Sequence, residues 1–189
     1  MDDVRIISTT EELEILSNPF RLSIINTFRE HGEPLTVKGC ADLMNEVPAK
    51  VHYHMKKLLK INVFELDHIE VINGINAKYY YLPKVRFSLQ IKASDEETLK
   101  TNVKHLMNLS ISQMESFKLD FIDMTQKATK LKEQNPYKVG WLSNNKIYLS
   151  EEEYDELQQL LIDFIMEHDK KDETKRKYSF LMGISYKED

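Results

Sequence analysis

Residues Val47–Leu58 read VPAKVHYHMKKL, and their types admit two kinds of chemistry. His52 and His54 form an H-x-H pair, a donor type that borderline metals take. Lys50, His52, Tyr53, Lys56 and Lys57 instead make a cationic, hydrogen-bonding set suited to phosphates and base edges. Helical spacing weighs between them. Val51, Met55, Leu58 and Leu59 recur at helical steps, which predicts a helix with one apolar face, and Pro48 suits its first position. Residues i and i+2 then point about 200° apart, so the two imidazoles cannot share one ion. The period puts His52 on the exposed side and His54 on the flank that meets the preceding helices, where a structural hydrogen bond is expected. A solvated surface helix has the same composition, so the window alone leaves DNA binding and the bland reading both open.

Other chemistry finds little support. The chain has no Gly-rich phosphate loop, no G-x-S-x-G turn and no H-E-x-x-H helix. Its carboxylates cluster at helix starts, where capping accounts for them. A non-enzyme with no cofactor and no metal site is expected. Cys40 stands alone, which excludes an internal disulfide, fits a reducing, cytoplasmic setting, and suits a core position.

Bulk properties set the scale. A chain of 189 residues, 41% hydrophobic and 30% charged, has room for one large domain or two small ones. No apolar run approaches the roughly 18 residues of a membrane span. The opening MDDVRIISTTEE lacks the cationic and apolar blocks of a signal peptide. Net charge is −5, against a broad nucleic-acid coat, yet Val47–Lys60 holds four lysines and no acid. That points to a localised electrostatic footprint.

The elements that must position this window follow from caps and turns. Thr9 or Thr10 caps a short helix over Glu11–Leu16, with acids near its first turn. Asn18 and Pro19 open a second helix that His31-Gly32 ends. Thr36 opens a third, carrying Val37, Cys40, Ala41, Leu43 and Met44, and Asn45-Glu46 turns into the cationic helix, which ends near Ile61-Asn62. Phe64–Ile72 and Ala77–Leu82 are β-rich runs flanking Asn73-Gly74, a favoured hairpin turn. Helix, helix, helix-turn-helix, hairpin is the order of a winged helix-turn-helix.

Residues Leu16–Pro83 resemble the winged-helix domain of ArsR-type bacterial transcriptional regulators. The resemblance rests on LSNPFRLSIINTF, LTVKGCADLM, VHYHMKKL and NGINAKYYYLP, a little over a third of the chain. Asn62 stands where related domains often have Gly, a substitution that a left-handed backbone tolerates. The resemblance implies a dimer on double-stranded DNA. Thr36 and Lys38 would hold phosphates, Ala49, Lys50, His52 and Tyr53 would lie along the major groove, and Lys56 and Lys57 would tie the helix end to the backbone. Asn73, Asn76 and Lys78 would approach the minor groove or flanking phosphates. Metal-sensing members use paired cysteines before the turn, or histidines and carboxylates on the dimerisation helix. Neither set is present.

The second half has another texture. Val85, Phe87, Leu89 and Ile91 alternate as a half-buried strand. Ser94 is expected to cap a long helix over 95–133. On it Met107, Ser110, Met114, Phe117, Phe121, Met124, Ala128 and Leu131 form a seam of about 3.5-residue period. Lys146–Leu149 reads as a strand, Ser150 as the cap of a helix to about His168, and Tyr178–Tyr186 as a closing strand. The expected class is α+β: a winged helix-turn-helix over 1–84, then a long helix and a small α/β module of about three strands over 85–189. The seam suits dimerisation through Met107, Met114, Phe117, Phe121, Met124 and Leu131. Packing within one subunit suits it equally, and a small organic effector beside it is conceivable. A protein-interaction module on a winged-helix scaffold is the alternative, supported by the acidic net charge.

Overall fold

The computed structural model describes residues 4–83, 86–90, 93–131, 140–168 and 172–185, with positions 86–89 and 128–131 described by backbone alone. It is mixed α and β, and it divides into two compact units, Met1–Met114 and Glu115–Asp189.

The first unit opens with β1 (Val4–Ile7), a strand that the sequence reading lacks. Thr9 then caps α1 (Thr10–Leu16) through a reciprocal capping box. Its hydroxyl accepts the Glu12 N–H at 3.2 Å, and the Glu12 carboxylate accepts the Thr9 N–H at 3.0 Å. Asn18 caps α2 (Pro19–His31) with Pro19 at the first position, and Gly32 ends it at φ 81°, a left-handed backbone that glycine adopts without strain. Arg21 is buried and fastens the α1–α2 turn, donating from Nε to the Ile15 carbonyl and from Nη2 to the Glu14 carbonyl.

After β2 (Leu35–Thr36), Thr36 caps α3 (Val37–Leu43) by accepting the Gly39 N–H at 2.9 Å. Asn45, at φ 52°, turns the chain into α4 (Pro48–Lys60). Cys40 and Ala41 are buried as expected, whereas Leu43 is exposed. Asn62 takes φ 47°, the left-handed conformation expected at this site. β3 (Glu65–Ile72) and β4 (Ile75–Tyr81) form a hairpin closed by Asn73 and Gly74, both at positive φ, with Ile72 paired to Ile75. β2 adds to β4 by pairing Leu35 with Tyr80, so the antiparallel sheet has the order β2-β4-β3.

The core of this unit gathers Ile7, Leu13, Ile24, Phe28, Val51, Met55, Leu58 and Phe64. Phe28 and Phe64 meet with ring centroids 4.4 Å apart. β5 (Arg86–Leu89) forms as the alternation predicts, although Val85 and Ile91 of the expected strand lie outside the described residues. It pairs in parallel with β1 instead of joining a C-terminal sheet.

α5 (Glu96–Leu131) matches the predicted long helix, but its cap is Asp95. The Asp95 carboxylate accepts the Thr98 N–H at 2.7 Å, while Ser94 sits one residue outside and donates its hydroxyl to Asp95. A cap must reach the third helical N–H, and Asp95 is the residue at that distance. The first half of α5 belongs to the N-terminal unit, where Asn102 and Leu109 are buried and the Ser17 hydroxyl meets His105 Nδ1 at 3.2 Å.

In the second unit, Ser150 caps α6 (Glu151–His168) through another capping box with Glu153. The strands expected at Lys146–Leu149 and Tyr178–Tyr186 do not form among the described residues. Alternation marks a segment with an apolar side, but a strand also needs a neighbour for its ladder, and neither segment finds one here. The α/β module with about three strands is corrected accordingly: the strand of the second half pairs with the chain's first strand, in the N-terminal unit.

Candidate nucleic-acid interface

α4 is held by its apolar face. Val51, Met55 and Leu58 are at most 1% exposed, and Leu59 packs partly buried beside them. Burying three such side chains contributes roughly 1.5–3 kcal/mol each, which fixes the rotation of the helix about its axis. The opposite face is thereby turned outward. Ala49, Lys50, His52, Tyr53 and Lys56 are exposed, and Lys57 is half-buried with its ammonium 5.1 Å from the Tyr53 ring centroid.

His52 and His54 part as the helical period requires. His52 is exposed, and His54 packs on Phe20 with ring centroids 4.7 Å apart. The expected structural hydrogen bond is not made at His54 Nδ1, which is buried without a partner. Burial, and then the positive charges of Arg21, Lys50 and Lys57, hold this imidazole below its ordinary pKa, so it is predominantly neutral at pH 7. Among the described residues no group of three or more His, Cys, Asp or Glu is placed to hold a metal ion.

Lys50 differs from the sequence reading. Its ammonium lies 2.7 Å from the Glu46 carboxylate and 4.0 Å from the Phe20 ring centroid. Lys60, at the far end of the helix, pairs with Glu11. The Glu46 partner was available from the sequence, since it precedes Lys50 by one helical turn. The Glu11 partner was not, because only the packing of α1 near α4 brings it there.

Around α4 the remaining residues spread over two elements. Thr36 is half-buried and its oxygen is engaged at the α3 cap, whereas Lys38 on the first turn is exposed. On the hairpin, Asn73, Asn76 and Lys78 are all exposed. The adjoining strand β3 carries Glu65, Asp67 and Glu70, a feature absent from the sequence reading. Glu65 accepts the Tyr81 hydroxyl at 2.6 Å, and Asp67 lies 2.6 Å from His68 Nδ1. Glu70 takes up the Tyr79 hydroxyl and raises its pKa. The cationic character of the hairpin is thus confined to Lys78, with a carboxylate-bearing strand beside it.

Of the seam on α5, Met107 and Met114 are exposed, and Phe117, Phe121 and Met124 are half-buried, with the Phe117 and Phe121 rings 6.1 Å apart. The side chain of Leu131 lies outside the described residues. Leu99, Val103 and Ile111 are exposed too and extend the stripe of Met107 and Met114 toward the start of the helix. Their four-residue spacing could have revealed them in the sequence. No helix among the described residues is long and apolar enough to cross a membrane.

No protein-family model and no curated protein matches this chain.

Proposed function

We propose that the N-terminal unit is a winged helix-turn-helix of ArsR type and that the protein is a sequence-specific regulator that binds double-stranded DNA as a dimer. The observation that carries this reading is α4. Its three buried apolar residues oppose an exposed face of Lys, His and Tyr, and it follows a tight turn after a capped helix. A helix of this size fits the major groove, and its side chains suit base edges and phosphates.

In this reading Ala49, His52 and Tyr53 face the bases. Lys50 joins them only by exchanging Glu46 for DNA. Lys56 and Lys57 neutralise phosphates at the helix end, and Lys38, with the Thr36 hydroxyl as a donor, does so on α3. Asn73, Asn76 and Lys78 act from the hairpin, which the acids of β3 restrict to its tip and β4 side. The stripe on α5 serves the dimer. No catalytic step and no cofactor enter this reading, and an organic effector rests on the Met and Phe composition of α5 alone.

Selection of bound sequences from a random duplex pool tests it. The expected result is an enriched, near-palindromic site with half-sites about 10 bp apart or a multiple of that. A pool that stays random through the selection refutes sequence-specific binding.

One observation favours a second reading, a protein-interaction module on the same scaffold. The carboxylates of β3 and the net charge of −5 suit a cationic protein partner. A gel-shift series at two salt concentrations separates the readings. A DNA binder loses orders of magnitude in affinity between about 50 and 200 mM, and an interaction module shows no specific shift at either.

A further inference from the structure

In the unit from Glu115 onward, none of the described residues reaches the buried state that marks the N-terminal core. The unit is nevertheless rich in large apolar side chains. Trp141, Leu142, Tyr148, Leu160, Phe164 and Phe180 range from 60% exposed at Phe180 to 93% at Tyr148. A soluble monomer rarely leaves a contiguous apolar patch beyond about 300–600 Å², because burial of such surface is the main favourable force in folding.

α6 shows what is incomplete. It carries two apolar stripes. Leu157 and Leu161, four residues apart, are half-buried within the unit. Leu160 and Phe164, also four apart, are 67% and 62% exposed. A helix on the surface of a finished domain needs one apolar stripe, and a helix apolar on two sides is built for burial. The segments 141–149 and 178–184 add alternating apolar residues in chain that has no strand partner among the described residues.

We infer that this unit is half of a hydrophobic core that a second copy of the same chain completes. The area supports this occupant. The exposed fraction of the six residues named above amounts to about 800 Å² on one protomer, the share each partner gives to a standard stable interface. Charge supports it as well. α6 begins with Glu151, Glu152, Glu153, Asp155 and Glu156, and Lys175, Arg176 and Lys177 follow its end. Two copies of α6 running antiparallel across a two-fold axis bring the acidic start of each toward the basic segment of the other. This deepens the dimer of the proposed function and rests on that part of it, not on DNA binding.

Trp141 is the sole tryptophan, so the full chain carries its own reporter. The experiment is a dilution series of the intact protein without DNA, followed by indole emission and by sedimentation. The expected result is blue-shifted emission in the concentrated dimer that moves to the red, on dilution, in step with the halving of mass. Leu160→Glu and Phe180→Ser alter different exposed segments, and each should weaken dimerisation about tenfold or more. A chain that is monomeric at every concentration overturns the inference. So does a dimer whose Trp141 emission stays that of an exposed indole, or one that both variants leave intact while Met107→Glu breaks it. A gel shift on the selected duplex is read separately. Dimerisation without DNA binding refutes the regulator and leaves the shared core standing, whereas a DNA-binding monomer does the reverse.

Discussion

Salt dependence gives the sharpest quantitative test of the DNA reading, because the structure divides the lysines of the proposed interface into two groups. Lys50 is paired with Glu46 and Lys60 with Glu11. Lys38, Lys56, Lys57 and Lys78 form no ion pair among the described residues. Four phosphate contacts per protomer give a slope of log affinity against log salt of about −3.6, or about −7 for the dimer. Raising salt from about 50 to 200 mM then lowers dimer affinity by about four orders of magnitude. Lys56→Ala removes one contact per protomer, so the slope falls to about −5.4 and the loss to about three orders, for selected and random duplex alike. Lys50→Ala behaves differently, since Glu46 already balances that charge. It should change the slope by less than half as much and lower affinity for the selected site more than for random duplex. Glu46→Gln frees Lys50 and should steepen the slope by about one contact per protomer. Fluorescence anisotropy with labelled duplex at several salt concentrations provides the measurement. Equal slope changes for Lys50→Ala and Lys56→Ala refute the division of roles, and a wild-type slope near zero refutes phosphate binding altogether.

Three further outcomes concern the scaffold. Asn62 holds φ 47°, so Asn62→Ala should lose about 1 kcal/mol in urea unfolding while Asn62→Gly loses nothing. Burial pushes the Cys40 thiol up to about 11, so the native protein at pH 8 should react with a disulfide reagent far more slowly than the urea-unfolded chain; equal rates would show the thiol accessible. Burial raises the Glu12 carboxyl, but the Thr9 and Ser8 N–H groups, the Thr9 hydroxyl and Arg5 outweigh it and hold the group below its ordinary 4.5. A depressed carboxyl stabilises the fold above its unfolded value, and that contribution is lost as pH falls through the folded value. Urea midpoints should therefore drop on acidification below about pH 4.5, and Glu12→Gln should flatten that limb; an unchanged limb would assign acid sensitivity elsewhere.

The local grammar of the chain was legible in the residues. Thr9, Asn18, Thr36 and Ser150 cap their helices, Pro19 and Pro48 occupy first positions, and Asn73-Gly74 closes a hairpin, because each of these interactions spans at most four residues. The period of Val51, Met55 and Leu58 also determined which side of α4 turns inward, and so which side chains compose the candidate interface. What the tertiary structure decided lies at longer separations. β1 finds its parallel partner in β5, β2 joins the hairpin as a third strand, and Ser17 meets His105 across 88 residues. Glu11 takes Lys60 out of the set of unpaired cations across 49 residues. Lys146–Leu149 and Tyr178–Tyr186 have the alternation of strands, and the described chain supplies no neighbour for them. Caps and turns are settled by the conformational preferences and hydrogen bonds of adjacent residues. Ladders and distant ion pairs exist only when packing brings their partners together, and no local pattern carries that information.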